Sequence, residues 1–186
     1  MAMPLAVPRY TLEDLSSFPD DGCRYELVDG FLLVTPAPMP PHEVVVSRLA
    51  RWLDRRLGDP PRALVLTHGA VEIAPNVHME PDTLVVPVTE PMQGQWTDVR
   101  VFWLAVEVSG RGSRIYDRDY KGPAYLRAGV QEVWRADLRE QCIFVSRPDA
   151  PEEERRVDSL SWQPPGLTHP LVLDVRAVFE GVSGDD

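Results

Sequence analysis

Val101-Phe102-Trp103-Leu104-Ala105-Val106-Glu107-Val108-Ser109-Gly110 decides how this chain is read. Its first nine residues form an almost unbroken apolar run, rich in β-branched and aromatic side chains, as in a strand covered on both faces. Glu107 sits inside that run. A carboxylate between Val106 and Val108 is costly to bury unless something positive meets it, and a metal ion or a lysine is the usual remedy. Downstream, an arginine-studded segment ends in Lys121. Of the 19 basic residues it alone is a lysine. Within this stretch, a structural ion pair and a functional site explain the two residues equally well.

Working outward, the strand expected in that run is one of several. Arg24 to Leu27 and Phe31 to Val34 read as an N-terminal β-hairpin, because Val28-Asp29-Gly30 tolerates the positive φ of a tight turn. Pro36 to Pro41 is a stiff connector into His42. Beyond it, Val45, Leu49, Trp52, Leu53 and Leu57 recur at helical spacing, with Gly58 and Pro60-Pro61 as the stop. Leu64-Val65-Leu66 and Ala70 to Ile73 read as strand segments around His68-Gly69, and Thr83 to Val86 as a short strand opened by Asp82. After the central strand, residues 111–118 read as a flexible excursion. Tyr120 to Ala128 reads as a helix with Asp119 as its cap, Pro123 in its first turn and Gly129 as its end. Glu132 to Ala136 and Cys142 to Val145 form a C-terminal hairpin, residues 148–156 a charged loop, Leu171 to Leu173 a last strand and Val175 to Phe179 a closing helix. Thr11 caps a short helix near the start, and both ends of the chain are expected to be irregular.

Strands and helices interleave, so the expected class is α/β: a central mixed β-sheet flanked by helices, with N-terminal and C-terminal β-hairpins. At 186 residues the chain suits a single domain over 1–186, with a core from about residue 9 to 180. No apolar segment is long enough to span a bilayer, and no basic-then-apolar start is present, so a cytoplasmic protein without a membrane partner is expected. Cys23 and Cys142 read as free thiols. The net charge of −10 opposes nonspecific attraction to a phosphate backbone. Locally the balance reverses. Between residues 111 and 127, Arg111, Arg114, Arg118, Lys121 and Arg127 face two acids, Asp117 and Asp119, which makes this the expected nucleic-acid-binding segment.

Glu26, Asp82 and Glu107 begin or end strands, where α/β proteins tend to place their sites. Carboxylates on neighbouring strands with a lysine nearby suit a hard cation held against a phosphate. Each acid also has an ordinary explanation: Asp82 after Pro81 suits a strand cap, and Glu26 suits a surface pair with Arg24. His42, at a helix start, has no metal-binding spacing to the other histidines and ranks as accessory, as does Asp117.

Taken in order, Arg24-Tyr25-Glu26-Leu27-Val28-Asp29-Gly30, His42, Pro81-Asp82, Val106-Glu107-Val108-Ser109, Asp117, Lys121, Tyr125, Gly129-Val130 and Glu132-Val133-Trp134 resemble the Uma-type restriction endonuclease family of the PD-(D/E)XK nuclease superfamily. The resemblance runs from about Arg9 to Phe179. It implies a restriction-endonuclease-like core and divalent-metal-dependent hydrolysis of DNA phosphodiester bonds, with Mg²⁺ or Mn²⁺ as cofactor and no nucleotide cofactor. It also implies that Asp82, Glu107 and the backbone carbonyl of Val108 hold the metal. Glu26 would be the additional acid and Lys121 the superfamily lysine, so the implied catalytic set is Glu26, Asp82, Glu107 and Lys121. One departure stands out: Ser109 occupies the place where the simplest superfamily pattern has its lysine. A homodimer suits cleavage of both strands of a duplex. The alternative is a non-catalytic nucleic-acid-binding or assembly module that keeps the nuclease fold, in line with the net acidity and with Ser109.

Overall fold

The computed structural model describes residues 7–183. In chain order, α1 (Leu12–Leu15) precedes β1 (Arg24–Val28), β2 (Phe31–Thr35) and the long helix α2 (Pro40–Leu57). β3 (Ala63–Leu66), β4 (Val71–Ile73), β5 (Val77–Met79), β6 (Thr83–Pro87) and β7 (Leu104–Ser109) follow. A helical stretch then runs through α3 (Arg114–Tyr116), a π-turn (Asp117–Lys121) and α4 (Gly122–Arg127). The chain ends in β8 (Val133–Asp137), β9 (Cys142–Arg147), β10 (Ala150–Arg156), β11 (Ser159–Trp162), β12 (Leu171–Asp174) and α5 (Val175–Phe179).

The large sheet has the order β10-β9-β8-β7-β6-β3 and is mixed: β7 and β8 run parallel, and the other neighbours antiparallel. A parallel pair needs a crossover, and the stretch from α3 to α4 provides it. That requirement carries Lys121 back over the strand that bears Glu107. A second sheet, β2-β1-β5-β4, is antiparallel, and β11 pairs with β12. The β1–β2 hairpin turns at Asp29 and Gly30, both at positive φ, as the Asp-Gly pair requires.

β7 is buried along its whole length, and period 2 divides its side chains between two cores. Val106 and Val108 join Val45, Leu49 and Leu53 of α2, together with Trp134 of β8. Each such fully buried leucine contributes about 2 kcal/mol. Ala105 faces the other way, towards Tyr125, Val28 and Met79. Glu107 shares its face. The carboxylate therefore points to the side where the crossover helix and the smaller sheet pack, not to the side covered by α2.

Two expectations change. Most of the charged segment 148–156 is not a loop: after a turn at residues 148–149, Ala150–Arg156 forms an edge strand, β10, paired with β9. Charges on an edge strand discourage pairing with other chains, so polarity and strand structure coexist there. Residues 111–118 are largely helical, with Ser113 rather than Asp119 preceding the first turn, and Lys121 lies within the helical stretch rather than near its start. Pro123 has no N–H to give Asp119, and the Gly122 N–H instead reaches the Asp117 carbonyl, the wider bond of a π-turn. The segments around His68-Gly69 are strands as read, and they enter different sheets, β3 the large one and β4 the small one.

The short strands β5 and β11 have no counterpart in the sequence reading. The irregular ends expected there fall mainly on residues 1–6 and 184–186, outside the described residues. No helix among the described residues is long and apolar enough to cross a membrane.

Candidate active site

The two strand-borne acids and the helix-borne lysine converge. Lys121 Nζ lies 2.8 Å from Glu26 Oε1, 3.0 Å from Glu26 Oε2 and 2.7 Å from Glu107 Oε1. The Tyr125 hydroxyl donates to the same Glu107 oxygen at 2.5 Å. Asp117, Lys121 and Tyr125 are spaced four residues apart, so the helical stretch turns all three inward. Ser109, in the place of the simpler motif's lysine, donates its hydroxyl to Asp117 Oδ2 at 2.8 Å. It ties the end of β7 to the π-turn that delivers Lys121.

Asp82 is held from three sides. Its Oδ2 accepts from the Val108 N–H at 2.8 Å and lies 3.0 Å from His42 Nε2, while Oδ1 is 3.2 Å from the Arg24 guanidinium. Arg24 also donates to the Glu80 carbonyl at 3.0 Å, and the Glu80 N–H donates to Glu26 Oε1 at 2.7 Å. His42 comes from the first turn of α2, where Pro40 and Pro41 leave no N–H to waste. Glu26, Asp82, Glu107, Asp117, Lys121 and His42 all line one cavity of about 910 Å³.

Burial pushes the Glu107 carboxyl well above the usual range; Lys121 pulls it back, and the neighbouring Asp82, Asp117 and Glu26 push it further up. Burial likewise raises Asp117. For Asp82 burial also acts upward, but the bonds from His42 and the Val108 N–H, with the charge of Lys121, outweigh it and hold the carboxyl below its ordinary value. His42 shows the reverse: burial would lower it, and its bond to Asp82 raises it. Lys121 stays protonated because Glu107 and Glu26 overcome its burial. Negative charge is thus in surplus around Glu107.

A divalent cation is chemically suited to that surplus. Among the described residues no group of three or more His, Cys, Asp or Glu side chains forms a metal cage. Mg²⁺ does not need one, since it usually takes one or two carboxylates and completes its shell with water and substrate phosphate. Asp82 and Glu107 are two carboxylates that line the same cavity. By strand alternation the Val108 carbonyl points to the same side as its N–H, towards Asp82 and beyond the last β6–β7 pair, Thr83 with Val106. The donors are hard oxygens, and the set fits Mg²⁺ or Mn²⁺.

The expected basic segment is not one surface. Arg111 lines the cavity, but Arg114 turns to Asp137 at 2.5 Å, Arg118 pairs with Asp119 at 2.6 Å and Arg127 with Asp29 at 2.7 Å. Nor does Glu26 pair with Arg24: Glu26 takes Lys121, and Arg24 takes Asp82 and Glu80. The sequence reading left Arg24, Ser109 and Tyr125 without site roles. Arg24 shares a strand face with Glu26 at spacing two, and Tyr125 shares a helix face with Lys121 at spacing four, so both residues had a periodic signal.

A family model, Uma2, described as "Putative restriction endonuclease", matches residues 12–180. Among solved structures, a crystal structure described as a putative nuclease belonging to DUF820, from Anabaena variabilis ATCC 29413, has a similar fold. The two chains share 18% sequence identity and a TM-score of 0.69, over 91% of this chain and 97% of that one. No curated protein matches the chain. With nearly its whole length matched and the fold shared, this chain belongs to the Uma2 family of restriction-endonuclease-like proteins.

Proposed function

We propose that this protein is an endonuclease that hydrolyses DNA phosphodiester bonds with Mg²⁺ or Mn²⁺ held by Asp82, Glu107 and the Val108 carbonyl. The observation that carries this reading is the meeting of Glu26, Asp82, Glu107 and Lys121 in one cavity, from elements up to 95 positions apart in the chain. The bound cation supplies charge neutralisation at the phosphate and a water of lowered pKa.

The chain's own residues do the rest. Lys121 holds Glu26 and Glu107 together against their mutual repulsion, and Tyr125 sets the direction of the Glu107 carboxylate. His42 and the Val108 N–H keep Asp82 ionised and aimed. The Glu26 carboxylate, braced by the Glu80 N–H, is the remaining acid available to the attacking water. Cleavage of both duplex strands calls for two such sites, so a homodimer belongs to the proposal. The free thiols of Cys23 and Cys142 suit a cytoplasmic enzyme.

Cleavage of single- and double-stranded DNA with Mg²⁺ and Mn²⁺ tests it. Glu107→Gln should lower kcat on the order of 10³-fold, about 4 kcal/mol of barrier. Equal trace activity in the two proteins would end the catalytic reading. Calorimetry then separates the alternative of a non-catalytic module: a module shows no divalent-cation binding that depends on Asp82 and Glu107.

A further inference from the structure

Lys121 and Arg24 both bond to carboxylates of the cluster, but in opposite settings. Lys121 is 3% exposed. An ammonium has three N–H donors, and three carboxylate oxygens stand within 3.0 Å of this one. It has none left for a ligand, and turning it away would strand Glu26 and Glu107 in the interior. Arg24 is different. Its side chain is 32% exposed and lines the cavity.

The side-chain contacts that hold Arg24 are few and long. It meets Asp82 through one contact of 3.2 Å, and its Nε is 3.5 Å from a Glu80 carboxylate that is itself 42% exposed. The Glu80 contact is solvent-screened and worth little, whereas Asp82 is buried, so the guanidinium leaves it only for another anion. Asp82 does not depend on Arg24, because the Val108 N–H and His42 remain on its other oxygen. Glu80 is braced independently by His78, whose ring lies 2.9 Å from Glu80 and 2.7 Å from Glu72. The Glu80 carbonyl holds the guanidinium at 3.0 Å, so the fork can swing while staying at the cavity wall.

We propose that Arg24 forms a phosphate subsite: its guanidinium turns from Asp82 to a nonbridging oxygen of the substrate phosphodiester, while Lys121 stays committed to Glu26 and Glu107. The planar fork of a guanidinium matches two phosphate oxygens, which an ammonium does not. The step moves hydrogen bonds only. In a cavity also lined by Glu72, Glu80 and Asp117, an anionic substrate needs a cation that is free to move, and Arg24 meets that need. This inference rests on the phosphodiester reading above.

The test is binding of fluorescein-labelled single-stranded and duplex oligonucleotides, followed by anisotropy over a range of salt with Ca²⁺ in place of Mg²⁺ to hold back cleavage. Arg24→Ala should weaken binding about tenfold or more and reduce the slope of log Kd against log salt by about 0.7 to 0.9, the share of one phosphate contact. Arg24→Lys should recover part of both, and Arg24→Gln covers a failure of the alanine variant to fold. Melting curves run alongside, because a purely structural Arg24 would lower Tm and leave the salt slope alone. Wild-type affinity and slope in Arg24→Ala or Arg24→Gln would overturn the subsite while wild-type cleavage still supported the nuclease reading. A wild-type protein that neither binds nor cleaves either oligonucleotide would overturn both.

Discussion

Glu107 and Arg135 stand side by side on the parallel strands β7 and β8, yet they belong to two charge clusters of opposite character. Around Arg135 the charges balance. Its guanidinium meets both Glu153 oxygens, at 2.6 and 2.8 Å, and Asp137 at 2.8 Å, and Asp137 also receives Arg114 and the N–H groups of Arg139 and Glu140. For Asp137, burial acts upward, but the Glu140 N–H and the two arginines outweigh it and hold the carboxyl below its ordinary value. Around Glu107, four acids outnumber Lys121 and Arg24, and the carboxyl is pushed up instead. Because both ends of the Arg135 fork are occupied, it cannot relieve its neighbour. A balanced cluster is a structural joint. One with surplus charge opening on a large cavity has room for a charged ligand.

The contrast can be broken most forcefully at Asp137. Asp137→Ala leaves two guanidinium groups without their shared carboxylate and should cost about 3–5 kcal/mol of stability in urea melts, while the Mg²⁺ affinity of the folded protein is unchanged. An unaltered melt would remove the structural role. The next effect is one of pH. A proton on Glu107 competes with the cation, and burial keeps that proton bound to higher pH, so Mg²⁺ affinity should rise with pH by up to about tenfold per unit across the titration. Calorimetry at a series of pH values checks this, and Glu107→Gln should flatten the curve. A flat wild-type profile would show that the surplus is not there.

The smallest effect sharpens the same point with the opposite sign to Asp137. The folded state disfavours an ionised Glu107, so its contribution to stability falls as pH rises above the ordinary carboxylate range. Glu107→Gln should therefore gain about 1 kcal/mol at neutral pH, or about 2–4 °C in Tm. A lower Tm for this variant would mean that Lys121 already satisfies the site.

Periodicity made much of the fold legible before any coordinates. β7, the Asp29-Gly30 hairpin and α2 announce themselves through local pattern, because each buries a face whose spacing is set by its own geometry. β10 hid itself. Glu152, Glu153, Glu154, Arg155 and Arg156 carry no apolar alternation, since an edge strand gains from charge what an inner strand loses. β5 is too short to show a pattern, β11 does show one in Ser159 to Trp162, with Leu160 and Trp162 buried, that went unread, and the π-turn arises from where Pro123 falls against the crossover. The fold divides the arginines of residues 111–127 among different partners. A sum of charges says nothing about which guanidinium turns inward, and Arg114 does.

By itself, then, the sequence determined that Glu26 and Glu107 ride on strands and that Asp82 opens one, that Lys121 lies on a helix after the central strand, and that the ordered motifs match one family. The tertiary structure alone decided how these are joined. Lys121 meets Glu26 across 95 positions, Arg24 meets Asp82 across 58, and Glu107 stays clear of the arginine beside it. Local spacing fixes the face on which a side chain stands. Which partner it meets across that face depends on sheet order, crossover and burial, and those exist only once the chain has closed.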